Sequence, residues 1–139
     1  MTKIRQRTIA GLRVGDAFEV VRTFTEKDTV DFARISRDYN PIHFDDRFAA
    51  VKRMNGRICH GLLVAGLITE IGGQIGWLAS GMQFEFKKPV YLDDEITCTL
   101  KIVEVSRRTI ATIAVEILNA KSELISSGTV KSMRASVSG

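Results

Sequence analysis

The chain has 139 residues, of which 45% are hydrophobic and 26% are charged, and its formal net charge is +4 at pH 7. This length fits one domain over residues 1–139, and the composition is that of an ordinary globular protein rather than a disordered one. The lysines and arginines are scattered along the sequence, so the concentrated basic stripe of a nucleic-acid-binding protein is lacking.

Other features of the composition indicate where the protein works and what it meets. Residues 1–7 are basic, but no long apolar segment follows them, so we expect no secretory signal. Cys59 and Cys98 cannot form a disulfide framework and fit a reducing cytoplasm. The mild positive charge suits a phosphate-bearing small molecule or an acidic carrier protein.

The first part of the chain predicts a strand followed by a helix. Residues 4–15 form a leading segment that ends in a turn, and residues 17–25 carry the alternating β-formers of a strand. Thr25 is followed three positions later by Asp28, which is the pattern of a capping box at a helix start. The helix ends before Pro41, because a proline biases the residue preceding it toward an extended backbone.

A carboxylate and an imidazole flank that proline. Asp38 and His43 lie five positions apart in a predicted loop, which can turn both side chains toward one point. A general acid and a general base acting on one small substrate need this arrangement. The alternative is structural: Asp and Asn favour turns by bonding to nearby backbone, and a lone histidine is often part of a core.

The middle of the chain predicts a short helix, a polar connection and a buried helix. These segments are residues 45–51, 52–59 and 61–71. The last is apolar on all sides, which is typical of a buried helix, and Glu70 interrupts it too early for a membrane span. We expect it to end at the glycines that follow, namely Gly72, Gly73 and Gly76.

The second half of the chain predicts strands of alternating polarity. They cover residues 82–86, 95–105, 109–118 and 124–133, separated by short turn signals. Consecutive strands with short connections form antiparallel meanders. The fold class is therefore α+β, with strands wrapped on an apolar helix.

Other candidate sites are weaker. The amide of Gly61, at a helix start, could stabilise an oxyanion, although without the Asp38–His43 loop a plain helix start is the favoured explanation. Cys59 and His60 are sequence neighbours, which rarely face each other productively. With two cysteines and two histidines there is no zinc-type ligand set, and we expect no metal.

Two motifs together resemble a known family. Residues 36–45 read Ser-x-Asp-x-Asn-Pro-Ile-His-x-Asp, and residues 60–63 read His-Gly-Leu-Leu. This pair resembles the hydratase-2 motif of MaoC-like (R)-specific enoyl-CoA hydratases and dehydratases. The likeness extends from about residue 8 to residue 134, including the strand pattern.

The resemblance implies a hot-dog fold, in which an antiparallel sheet wraps around a long central helix, here beginning near Gly61. It implies a homodimer that hydrates acyl-CoA or acyl-carrier-protein enoyl thioesters without a cofactor. The residues matching Asp38 and His43 hold the added water in that family. The amide matching Gly61 bonds the thioester oxygen, and the residue matching Asn40 orders the loop.

The chain departs from the family pattern at two positions that we assign to substrate binding. Arg37 replaces the usual glycine, and its cation could reach the phosphates of the carrier or point into solvent. Gly66 stands where many relatives have a serine near the site, so a hydrogen bond to substrate is lost. Two rivals use similar features: a hot-dog thioesterase, and a non-catalytic module that binds acyl thioesters.

Overall fold

The computed structural model describes residues 2–9, 11–106 and 110–134, which form an antiparallel five-stranded sheet with helices packed against it. The strand order across the sheet is β1-β3-β4-β5-β2. The elements in chain order are α1 (Lys3–Ile9), β1 (Ala17–Thr23), α2 (Glu26–Ser36), a 3₁₀ turn (Pro41–His43), α3 (Asp46–Val51), α4 (Gly61–Ala65), α5 (Leu67–Ile75), β2 (Trp77–Phe86), β3 (Glu95–Val105), β4 (Ile110–Asn119) and β5 (Leu124–Arg134).

The core lies between one face of the sheet and α5. Alternate residues of β3 and β4 are buried, as expected for strands with one face on a core. α5 packs against this face of the sheet and buries Leu67, Ile68, Ile71 and Ile75. The α+β hot-dog architecture predicted from the sequence is therefore confirmed.

The helical segments differ from the predictions in detail. α2 begins at the predicted capping box, in which Thr25 and Asp28 bond each other's backbone amides. The leading segment contains a helix, α1, that the sequence did not predict. The central helix consists of α4 and α5, which meet at Gly66, and Gly76 ends it with a left-handed φ of 74°.

Gly72 and Gly73 do not end the central helix as predicted, because both lie inside α5. None of the helices in the described part of the chain combines the length and apolarity needed to span a bilayer.

The predicted meander is right for β3, β4 and β5 and wrong for β2. β2 begins at Trp77, earlier than predicted, and pairs with β5 rather than with β3. The register of β2 against β5 shifts between Ala79 and Gly81, which is a β-bulge. Because a bulge adds an unpaired residue, regular alternation does not extend through this part of the strand. Residues 87–94 connect β2, at one edge of the sheet, to β3, which lies next to the strand at the opposite edge.

Candidate active site

The loop that holds Asp38 begins where α2 ends. Arg37 caps the helix with a left-handed φ of 64°, and its amide donates to the carbonyl of Ala33. This conformation favours glycine, which is the residue that the resemblance implies at this position. The chain then turns away from the α2 axis at Asp38.

Side chains of the same loop fix its backbone. The Asp38 carboxylate accepts a bond from the amide of Asn40 at 3.1 Å. The Asn40 side chain accepts one from the amide of Ile42 at 3.1 Å and thereby caps the 3₁₀ turn that Pro41 begins. These bonds place His43 at the end of that turn, facing back toward Asp38.

Asp38 and His43 are brought together as the sequence predicted. Oδ2 of Asp38 lies 3.8 Å from Nε2 of His43, and the side chains are 49% and 8% exposed respectively. The Nδ1–H of His43 donates to the carbonyl of Ile58 at 2.7 Å, because a carbonyl can only accept. In the neutral ring, Nε2 therefore carries a lone pair and no proton, and this atom faces the Asp38 carboxylate.

The surroundings favour the neutral form of His43. Burial lowers its pKa below the ordinary value of 6.5, and the neighbouring His60 lowers it further. The bond to Ile58 and the charge of Asp38 oppose this shift in pKa but do not reverse it. Near neutral pH His43 can therefore accept a proton at Nε2.

His60 is part of the site, although the sequence did not predict this. It is 1% exposed, and its Nε2–H donates to the backbone carbonyl of Asp38 at 2.9 Å. Its ring stacks on that of His43, with centroids 3.8 Å apart and 27° between the planes. The motif at residues 60–63 includes His60 but gave it no role, because the stacking depends on residues 17 positions apart.

Gly61 and His43 line the same cavity, which has a volume of about 310 Å³. The rest of the lining is mostly apolar, with two lysines, and comprises Met54, Ile58, Cys59, Val64, Phe86, Lys87, Lys88, Pro89, Val90 and Ile125. A side chain on Gly61 would meet the Phe86 ring at 3.3 Å, so glycine allows this close approach. Gly61 also begins α4, where the first amides have no intrahelical partners.

Two of the predicted site residues lie elsewhere. Arg37 is exposed and does not line the cavity. Gly66 lines a separate depression together with Phe32, Leu62 and Thr69. A side chain at position 66 would press on the backbone carbonyl of Leu63 at 3.0 Å.

Asp38, His43 and His60 each present a ligand atom within 4.8 Å of the others, which is close enough for a metal ion. The stacking of the two rings disfavours this use, because imidazole lone pairs lie in the ring plane and near-parallel planes do not converge. A cysteine nucleophile is also disfavoured, since burial raises the pKa of Cys59 to about 12.

Comparisons with known proteins agree with this arrangement. Residues 13–123 match the profile of the family described as MaoC like domain. The chain is 31% identical over 122 residues to an (R)-specific enoyl-CoA hydratase of Aeromonas caviae, covering 84% of this chain and 91% of that protein. It is 34% identical over 87 residues to a mitochondrial 3-hydroxyacyl-[acyl-carrier-protein] dehydratase of Arabidopsis thaliana, covering 61% of this chain and 52% of that one.

The fold is also similar to solved structures. The structure of an (R)-hydratase from A. caviae superposes with a TM-score of 0.86 at 29% identity, covering 90% of this chain and 98% of that one.

Proposed function

The chain belongs to the MaoC-like domain family, and from this premise we propose that it is a lyase acting on acyl thioesters. It adds water reversibly to 2-enoyl thioesters and forms (R)-3-hydroxyacyl thioesters. The observation that carries this proposal is the Asp38–His43 pair beside a largely apolar cavity that also contains Gly61.

Asp38 and His43 supply the proton transfers. Their oxygen and nitrogen are 3.8 Å apart, too far for a direct hydrogen bond, but one water molecule can bond to both from the side. The pair removes a proton from this water as its oxygen adds to C3, and the pair then delivers a proton to C2, so that Asp38 and His43 end in their starting protonation states. By microscopic reversibility, the group that removes the water proton during hydration returns it during dehydration.

The Gly61 amide polarises the thioester carbonyl. As the water oxygen adds to C3, negative charge moves to the thioester oxygen, and a bond from an oriented amide stabilises it. His43 and Gly61 line one cavity, so a single thioester can reach both groups. The acyl group then occupies the apolar part of the cavity.

Three further assignments concern substrate binding and stay predictions. Asn40 holds the loop in the conformation that presents Asp38, as its bond to the Ile42 amide supports. Arg37 is exposed and could bind the phosphates of coenzyme A or of the carrier-protein prosthetic group. Gly66 lies outside the cavity, and its predicted part in substrate binding rests on the resemblance to the family alone.

We further propose that the protein is a homodimer that works in the cytoplasm. β2 forms one edge of the sheet and exposes large apolar side chains, namely Leu78, Met82 and Phe86. Such an edge favours pairing with another chain. The two cysteines are free thiols, which is compatible with a reducing compartment.

The test is a panel of 2-enoyl thioesters on coenzyme A and on acyl carrier protein, from crotonyl upward in length. We expect loss of the conjugated enoyl absorbance and a 3-hydroxyacyl product of R configuration, with the thioester intact. Release of free thiol without that product would identify a thioesterase instead. Tight binding with unchanged absorbance would identify a binding module.

A further inference from the structure

We propose that His60 is a positioning residue that holds both Asp38 and His43 in their reactive orientation. This inference rests on the proposed function, because it assigns His60 a part in the same proton transfers. His60 is one of the two histidines of the chain, and the other is His43. The two imidazoles perform different tasks in one stack.

The first task is to hold the backbone of Asp38. The Nε2–H of His60 donates to the Asp38 carbonyl at 2.9 Å, whereas the Asp38 side chain is bonded within its own loop. The bond from His60 therefore joins the loop after α2 to the start of α4, where Gly61 lies. It sets the distance between the carboxylate and the amide that act on the same substrate.

The second task is to hold the plane of the His43 ring. The His43 ring has one hydrogen bond to the backbone, from Nδ1 to the carbonyl of Ile58. Rotation of the ring about that hydrogen bond would move Nε2 away from Asp38. The His60 ring covers one face of His43 at 3.8 Å between centroids and blocks this rotation. Phe32 and Phe44 pack around His60 at 4.8 and 5.9 Å and keep it in place.

The backbone acceptors impose opposite tautomers on the two rings. His43 carries its proton on Nδ1 because of Ile58, and His60 carries its proton on Nε2 because of Asp38. Protonating both rings would place two positive charges in one stack, so His60 also favours the neutral form of His43. The lone pair needed for proton transfer is thereby kept free.

A purely structural role does not explain the choice of histidine. Nδ1 of His60 is buried and lacks a hydrogen-bond partner among the described residues. An unpaired buried polar atom lowers the stability of the fold, so an apolar ring would fill this position better if packing were its only purpose. Both features of the imidazole, its donor and its flat face, are used on catalytic groups.

Two substitutions separate these features. His60→Gln keeps a donor for the Asp38 carbonyl and removes the ring, and His60→Phe keeps the ring and removes the donor. We expect kcat to fall about 10- to 100-fold in both variants with little change in KM, because the misplaced groups act on the transition state. Asp31→Asn is the control, since Asp31 is an exposed residue of α2 that pairs with Lys27, and it keeps kcat near the parent value.

The second readout does not depend on turnover. In tag-free protein, each His60 variant has one histidine left, His43. The nitrogen NMR signals of the His43 ring can therefore be followed through a pH titration. Among the described residues, the charged and titratable groups around His43 are Asp38 and His60 and, in the lining of the same cavity, Cys59, Lys87 and Lys88, and only His60 is changed. We expect the His43 pKa to rise in both variants.

The outcomes separate this inference from the proposed function. A parent protein that hydrates no thioester refutes the proposed function, while the NMR titration still tests His60. An unchanged His43 titration in both variants, or an unchanged kcat in both, overturns the positioning role. If neither variant folds, the parent protein decides: a His60 ring protonated on Nδ1 rather than Nε2 overturns the proposal.

Discussion

The Asp38→Asn substitution separates chemistry from structure at this site. The Asn side chain has the size of Asp, and its remaining oxygen can still accept the bond from the Asn40 amide. Since the Asp38 side chain is 49% exposed, we expect the free energy of unfolding to change by no more than about 0.5 kcal/mol. The substitution removes only the proton-transferring carboxylate that faces His43.

The expected kinetic effect is far larger than the structural one. A general acid or base contributes about 10²- to 10⁴-fold to rate, which corresponds to about 3–5 kcal/mol of transition-state stabilisation. We therefore expect kcat/KM for crotonyl-CoA hydration to fall by at least about 100-fold. The assay follows loss of the enoyl absorbance, with thermal unfolding measured in parallel.

Asp31→Asn is the matched control. Asp31 lies on α2, is 48% exposed and pairs with Lys27 one helical turn away. Exposed pairs of this kind contribute little to stability, so we expect activity and stability close to those of the parent. We expect Asp31→Asn to keep the parental rate. If Asp38→Asn also retained more than about a tenth of that rate, the role assigned to Asp38 would be wrong.

Three further predictions concern stability and reactivity. Gly128→Ala would place a methyl group on the carbonyl of Gln83 in the paired strand, so urea denaturation should show a loss of about 1–3 kcal/mol. Gly73→Ala, at a helical site with nothing within 4 Å, should instead gain about 0.5–1 kcal/mol, and the same sign for both would contradict this account. Because the folded-state pKa of His43 lies below 6.5, the unfolded chain binds its proton first: this contribution to stability is complete above pH 6.5 and declines as the pH falls toward the folded-state pKa. Urea midpoints at both ends of that range, compared with those of His43→Gln, measure it, and an identical pH dependence in the two proteins would refute it. Burial raises the pKa of both Cys59 and Cys98 to about 12, so a thiol reagent should react slowly with the native protein and quickly in denaturant, whereas rapid native labelling would show accessible thiolates.

Local features of the sequence determined much of the site. The capping box at Thr25 starts α2, and Pro41 prevents a helix from continuing through the loop that follows. Both residues act through neighbouring backbone groups. The Asp38–His43 pair could therefore be placed in one loop before any tertiary contact was known. The two motifs together also indicated the family.

Pairing across the sheet was beyond local inference. Alternation showed which face of each strand is buried, but it carries no information about which strand is its neighbour. β2 lies next to β5, where Gly128 lets the two backbones approach closely, and neither fact is visible in the spacing of residues along the chain.

The part of the site that only tertiary structure decided is the environment of the reactive groups. The sequence alone placed a carboxylate and an imidazole in the same loop and an amide at a later helix start. The stacking of His60 on His43, the anchoring of His43 by Ile58, and the cavity shared with Gly61 all join segments 15 or more positions apart. Contacts at such separations depend on how helices and strands pack, whereas caps and turns depend on residues within a few positions of one another.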